Sequence, residues 1–287
     1  MKKRLISLLV ALCMAVTLLP VSALTAWAEG GGQLKIENGY PVGSGDNHDR
    51  NCSGDDWSYD GSTQTLDLHP ASSTEYDFFS IISGYGNVTK CKLTIGGNAT
   101  IVRGNFDNAV INNGKISGGY FFSSSSSLIN HGSITGGKFL HAISNESSGT
   151  IENGTFISVT NNGTINGGIF RKKPEGGHVA KGYTLNVNLQ NTGISRATIN
   201  GLNGGCYIIP NSDHDTSVTI EYTFSPISQP ILFPIDVTFG DTNDAHCLLE
   251  DWAPSPRYYD DGSGYFSVTF TAPPANANTV TLSMLTR

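Results

Sequence analysis

Residues 114–121 read GKISGGYF, 132–139 read GSITGGKF and 163–170 read GTINGGIF. Two looser copies, ATIVRGNF at 99–106 and GTIENGTF at 149–156, complete a set of five. The copies begin at 99, 114, 132, 149 and 163, so the steps are 15, 18, 17 and 14 residues. Between them lie shorter apolar-to-Asn stretches: AVINN at 109, SLINH at 127, AISNE at 142 and SVTNN at 158. A unit therefore reads strand, Asn-rich corner, strand, Gly-rich corner, strand.

Parity explains the corners. Side chains alternate faces along a strand. Ile116 and Phe121 are five apart, so one flat strand cannot point both inward. The Gly118-Gly119 pair between them supplies a turn, because glycine takes positive φ freely. Ile111 and Ile116 are also five apart, with Asn112-Asn113-Gly114 between them. The expectation is a three-sided coil with Ile111, Ile116 and Phe121 facing inward. Stacked coils align Ile116, Ile134, Ile151 and Ile165 in one column and Phe106, Phe121, Phe139, Phe156 and Phe170 in another. Asn112, Asn130 and Asn161 then form an amide ladder, a device known from stacked cross-strand structures.

Self-similarity at a fixed short period signals a solenoid. Helical hairpins and propeller blades need longer units of ~33 residues or more. The expected fold class is all-β: a β-solenoid over the repeats, followed by a β-sandwich. Units of the form NNGxIxGGxF resemble the short parallel β-helix modules, pectin-lyase-like in shape, of secreted and surface proteins of gut-dwelling Gram-positive bacteria. The resemblance covers residues 93–170 and implies that the solenoid is a right-handed parallel β-helix. It is specific for fold, since that shape hosts lyases, hydrolases, adhesins and stalks alike.

The flanks divide the chain further. Residues 1–28 carry Lys2, Lys3 and Arg4, an apolar run and an Ala26-Trp27-Ala28 end, which reads as a cleaved secretory signal. No later apolar run is long enough to span a bilayer, so no membrane insertion is expected after cleavage. Residues 29–92 hold WSYDGSTQTLDLHP at 57–70, where Asp60-Gly61 offers a hairpin turn and Trp57 and Tyr59 read as packing residues. This opening resembles the N-terminal edge of exported bacterial repeat proteins and is read as a cap with irregular first coils. Residues 93–175 are the solenoid, ended by Arg171-Lys172-Lys173-Pro174. Residues 176–287 show alternating runs at 183, 196, 206, 217, 234, 265 and 279, the pattern of a β-sandwich. The ending FTAPPANANTVTLSM resembles the last hairpin of bacterial immunoglobulin-like repeats. The run Ser123–Ser127 reads as a polar loop of one coil, with a disordered linker as the alternative.

Charge and cysteines narrow the function. Without the signal, 14 Lys and Arg stand against 24 Asp and Glu, a net charge near −10. That balance disfavours nucleic acid and anionic membranes as partners. Cys52, Cys91, Cys206 and Cys247 remain, an even count that favours disulfides in an exported chain. Cys52–Cys91 and Cys206–Cys247 is the pairing that respects the domain split. Free thiols and a zinc site are the alternatives, the latter without CxxC or paired-His spacing.

Hydrolysis of a polysaccharide on such a scaffold needs two converging carboxylates. The repeats hold Asp107, Glu146 and Glu152, at unlike positions in their units. Lyase chemistry needs an acidic calcium cluster, which Arg103, Lys115 and Lys138 lack nearby in sequence. His131 reads as a solvated corner residue. Asp46, Asp49, Asp55 and Asp56 read as a solvated loop, as do Asp241, Asp244, Asp260 and Asp261. No catalytic residue, cofactor or metal ligand is therefore assigned. Aromatic rings that stack on sugars are the remaining currency: Tyr120, Phe122, Trp252, Tyr258, Tyr259 and Tyr265, with Asp260 and Asp261 beside the tyrosines. The competing role for these residues is core packing. The reading is a non-catalytic adhesion or glycan-binding protein, secreted or held on the outer surface of a bacterium. Its partner would be an extracellular glycan or a host or cell-surface protein. A polysaccharide lyase or hydrolase with its groove on a solenoid face is the second reading. An ice-binding or purely structural solenoid is the third.

Overall fold

The computed structural model describes residues 33–83, 88–123, 127–188, 194–203 and 205–210, and beyond them the strands at 216–224, 232–239, 257–258, 263–270 and 279–286. The signal segment 1–28 lies outside these residues. The repeats wind into a parallel β-solenoid of about five turns. Its first face is a sheet of Thr74–Asp77, Ala99–Arg103, Lys115–Ile116, Ser133–Ile134, Thr150–Ile151, Thr164–Ile165 and His178–Val179, every neighbouring pair parallel. Ile101, Ile116, Ile134, Ile151 and Ile165 stand in direct register and are fully buried. Most of these strands are two residues long. They persist because coils above and below hydrogen-bond them, not through any propensity of their own.

The phenylalanine column also forms. Phe106, Phe121, Phe139, Phe156 and Phe170 pair coil to coil. Successive ring centroids are 4.7, 4.7, 4.9 and 5.0 Å apart, with interplanar angles of 14, 10, 1 and 13°. Isolated aromatic pairs favour edge-to-face or offset geometry. Here the strand spacing of ~4.8 Å fixes the repeat, and the direct coil-to-coil register holds each ring over the next. At the N-terminal end Phe78 closes the stack edge-on, 5.0 Å and 71° from Phe106. The second glycine of each phrase makes this possible. Gly119 has φ of 109°, and a Cβ there would meet the Phe106 ring at 3.2 Å. A side chain would be strained by the backbone angle and crowded by the ring.

The amide ladder has four rungs, one more than expected. Asn112 Nδ2 donates to Asn130 Oδ1, Asn130 Nδ2 to Asn145 Oδ1 and Asn145 Nδ2 to Asn161 Oδ1, each at 2.7 Å. Asn161 Nδ2 then donates to the Gly176 carbonyl at 2.8 Å, and Asn112 Oδ1 accepts from the Gly114 amide at 3.1 Å. Asn145 was hidden in AISNE, where Ser144 precedes it in place of the Ile or Thr of the other coils.

One expectation is overturned. Ile111 faces outward and is 39% exposed, whereas Val110 and Asn112 face inward. Alternation settles this: once Asn112 belongs to the buried ladder, its neighbour must point the other way. The inward aliphatic column is instead Leu66, Leu93, Val110, Leu128, Ile143 and Val159. Within the serine run, Ser123 is buried and 124–126 lie outside the described residues.

Ahead of the coils, Trp57–Asp60 and Thr65–Leu68 form an antiparallel hairpin with Trp57 and Tyr59 buried. The Asp60 carboxylate accepts from the Ser62 and Thr63 hydroxyls and the Ser62 amide, which holds it below the usual carboxylate range. At the other end Cys206–Ile209 runs antiparallel to both Gly168–Phe170 and Tyr183–Asn188, covering the last coil on that side. Tyr183–Asn188 pairs with Thr279–Thr286, which pairs with Leu232–Phe239. A second antiparallel set runs Leu202–Asn203, Ile194–Ile199, Thr216–Phe224, Ser263–Phe270 and Arg257–Tyr258.

No disulfide joins Cys52 to Cys91. The strands Trp57–Asp60 and Thr65–Leu68 lie between Cys52–Ser53 and the strand Lys92–Ile95 that follows Cys91. Adjacent strands are ~4.8 Å apart, and a bridge needs Cα atoms within ~7 Å. Cys206 is likewise unbridged, and Cys247 lies outside the described residues.

Three substitutions test the packing. Asn130→Ala strands a donor on Asn112 and an acceptor on Asn145, at about 1–3 kcal/mol each, whereas outward Ile111→Thr costs about 0.5 kcal/mol or less. Phe139→Ala costs about 3–5 kcal/mol, through lost burial and an unfilled gap in the stack. Urea unfolding of the three variants measures all of these. Equal losses at Ile111 and Asn130 contradict the register.

Candidate functional site

The seventh residue of each repeat phrase lies on the outer side of the phenylalanine strands: Asn105, Tyr120, Lys138, Thr155 and Ile169. Phe121 is buried, so alternation throws Tyr120 and Phe122 to the same outer face. Their rings lie 5.3 Å apart, tilted by 36°. Lys138, directly below Tyr120 in the ladder, places Nζ 5.8 Å from the Tyr120 centroid. That is within cation–π range. Asn105 is in register with Tyr120 on the coil above. All four side chains are half-buried. They make an aromatic patch of two tilted rings with one cation and one amide at its edges.

The patch ends where the C-terminal strands begin. Thr155 and Ile169, next in the same row, are buried at 8 and 4% exposure. Asn200 Nδ2 reaches Thr155 Oγ1 at 3.5 Å, a long contact that marks the covering segment. The row is therefore open for three coils and covered for two. Lys138 and Asn105 were not assigned from the sequence. The signal was present: in the aligned phrases GKISGGYF, GSITGGKF and ATIVRGNF, Tyr120, Lys138 and Asn105 hold the same place.

The other aromatic candidates divide. Tyr258 and Tyr265 lie on paired strands, where Tyr265 is opposite Arg257 and Tyr258 opposite Gly264. Trp252, Tyr259, Asp260 and Asp261 lie outside the described residues, as do Asp241 and Asp244.

A concavity of about 580 Å³ opens at the last coil, lined by Phe156, Val159, Phe170, Lys172, Lys173 and Glu175 among others. Strand pairing stops at Phe156–Phe170 and resumes only at Thr160–Glu175. Pro174 sits opposite the gap and has no N–H to close it. The corner is also one residue wider than in the coil before. Among its lining residues Glu175 is the one carboxylate.

The carboxylates of the repeats do not converge. Asp107 is exposed just after Phe106, Glu146 accepts from the Ser144 hydroxyl at the asparagine corner, and Glu152 accepts from Asn166 Nδ2 beside the isoleucine strands. His131 is exposed, and its carbonyl accepts from the Ser148 hydroxyl. In the acidic loop, His48 stacks on Tyr40 at 3.8 Å and its carbonyl accepts from the Tyr59 hydroxyl. That loop is held by packing. Among the described residues no three His, Cys, Asp or Glu gather as metal ligands do.

Burial also governs the thiols. Burial pushes the Cys91 thiol up to about 12, against the opposing pull of backbone hydrogen bonds and with a smaller push from Cys52, and burial pushes Cys206 up to about 12. A thiol that keeps its proton in the folded chain but loses it at an ordinary pKa when unfolded favours unfolding at high pH. The Cys91 contribution is intact below about pH 8.5 and drains away toward about pH 12. Native protein near pH 8 should leave Cys91 unlabelled by a thiol reagent, with full labelling in denaturant. Cys91→Val should flatten the alkaline loss of stability; an unchanged slope rejects the assignment.

Compared with known proteins, the chain matches no family model, no curated protein and no solved structure.

Proposed function

We propose that this chain is a non-catalytic adhesion or glycan-binding protein, exported and held at or released from a bacterial surface. The observation that carries the reading is the outward Tyr120–Phe122 pair with Lys138 and Asn105 in register. Aromatic rings offer a flat apolar face to the C–H side of a pyranose, while an amide and an ammonium bond its hydroxyls. The scaffold suits this task. A surface built on a dry, mutually registered stack holds its side chains still, so little ordering entropy is lost on binding.

Several finer features belong to the same reading. The solenoid winds right-handed with a pectin-lyase-like shape, the C-terminal strands form an immunoglobulin-like sandwich, and residues 1–28 direct export. Extracellular glycans or host surface proteins are the partners. The hydrolase or lyase alternative lacks support at the large concavity, where one carboxylate, Glu175, stands beside two lysines. General acid–base cleavage of a glycoside needs two.

A glycan array with the signal-free chain tests the proposal. Tyr120→Ala/Phe122→Ala should weaken any glycan bound by about ten-fold or more, with the unfolding midpoint little changed. Release of reducing sugar from common polysaccharides would instead establish the enzyme. Binding unaffected by the double variant would remove this patch from the account.

A further inference from the structure

The chain is rich in Asn-Gly pairs, and the solenoid treats them unequally. In any Asn-Gly the glycine nitrogen can attack the asparagine side-chain carbon. The N–Cγ bond forms, the Cγ–Nδ2 bond breaks and ammonia leaves with the proton lost from nitrogen. Water then opens the cyclic imide. Opening at the side-chain carbonyl carbon gives aspartate; opening at the main-chain carbonyl carbon gives isoaspartate, which runs the backbone through Cβ. The reaction needs only water, a side chain folded back on the next nitrogen, and that nitrogen free to leave its own hydrogen bond.

Three pairs are restrained. The Gly114 amide following Asn113 donates to buried Asn112 Oδ1 at 3.1 Å. The Gly163 amide following Asn162 donates to the Asn145 carbonyl at 3.2 Å. Asn166 ahead of Gly167 has its Nδ2 held by Glu152 Oε1 at 3.0 Å. The Asn153-Gly154 pair is different. The Gly154 amide donates at 2.8 Å to Oδ1 of Asn153 itself, which brings the side-chain amide carbon against the attacking nitrogen. Asn153 is exposed, so water and base reach it.

We propose that Asn153 is a self-modification site, the position among these four at which the folded chain converts asparagine to isoaspartate and aspartate first. The location has structural weight. Gly154, at φ of 132°, packs so closely on the Phe156 ring that an added Cβ would lie 2.7 Å from Cζ. An extra main-chain carbon immediately before this corner must displace Phe156, which is stacked between Phe139 and Phe170. The aspartate product leaves the chain length unchanged and places a new negative charge beside Glu152. Conversion thus marks elapsed time on the exported chain at a rung of its own core.

The test is kinetic and uses the unmodified signal-free protein. It is aged in mildly alkaline buffer, digested, and each Asn-Gly peptide quantified by mass spectrometry with fragmentation that separates isoaspartate from aspartate. Asn153 should convert about five-fold faster than Asn113, Asn162 or Asn166, the factor that one retained hydrogen bond imposes. In denaturant the four rates should converge, because each peptide is then an unrestrained Asn-Gly. Equal native rates, or a faster rate at any of the other three, overturn the proposal. A five-fold spread that persists in denaturant does so too, since it would come from local sequence. Asn153→Gln should abolish the early product while leaving the other three rates unchanged.

Discussion

The parallel backbone ladder sets everything else. Each coil hydrogen-bonds the one above and the one below, and the spacing of those bonds, ~4.8 Å, is not negotiable. Any side chain pointing inward must therefore meet its counterpart in the next coil at that distance. Isoleucine tolerates this through branched packing, phenylalanine through face stacking and asparagine through a donor on one side of its amide and an acceptor on the other. These residues fill three of the inward rows, and the mixed aliphatic column from Leu66 to Val159 fills the fourth. The rows follow from the ladder, because two-residue strands such as Ile116 with Lys115 have no cohesion alone. Where the ladder breaks, at Pro174, a concavity opens at once.

Buried amides would ordinarily weigh against stability. An unpaired amide in a dry interior costs about 1–3 kcal/mol. The ladder removes that cost by letting each rung complete the next, with the ends closed by the Gly114 amide and the Gly176 carbonyl. Polar residues in the core then act as register keys. A slip of one residue would put isoleucine, serine or threonine from the same strands into the amide row and leave several donors unanswered.

Much of this was legible in the sequence. The phrase G-x-I-x-G-G-x-F names the isoleucine and phenylalanine rows and the glycine that turns between them. The exposed Ile111 was not legible by hydrophobicity, since an apolar residue between Val110 and Asn112 looks more inward than an asparagine does. Only the ladder bonds reveal that Asn112 has the inward place. Asn145 was missed because its coil writes Ser-Asn where others write Ile-Asn or Thr-Asn. The Cys52–Cys91 pairing came from counting cysteines, a count that carries no information about the two strands lying between them. At the candidate site, Tyr120 was found as an aromatic, but Lys138 needed the coil-to-coil alignment to be seen as its neighbour. The charge, length and turn chemistry of the chain say nothing about which outer row stays uncovered. That depends on where residues 198–203 come to rest.

The closed amide chain has a direction. Every Nδ2 points toward the C-terminal end and every Oδ1 toward the N-terminal end, so the core is a polar filament with a head and a tail. A new coil can be spliced in wherever it brings one asparagine, because the incoming rung presents the same two ends that it separates. Whole-unit duplication or loss would then lengthen or shorten the rod by ~4.8 Å without disturbing its wiring. In such a stack, copy number, and not sequence refinement, sets the distance between the first coil and the last.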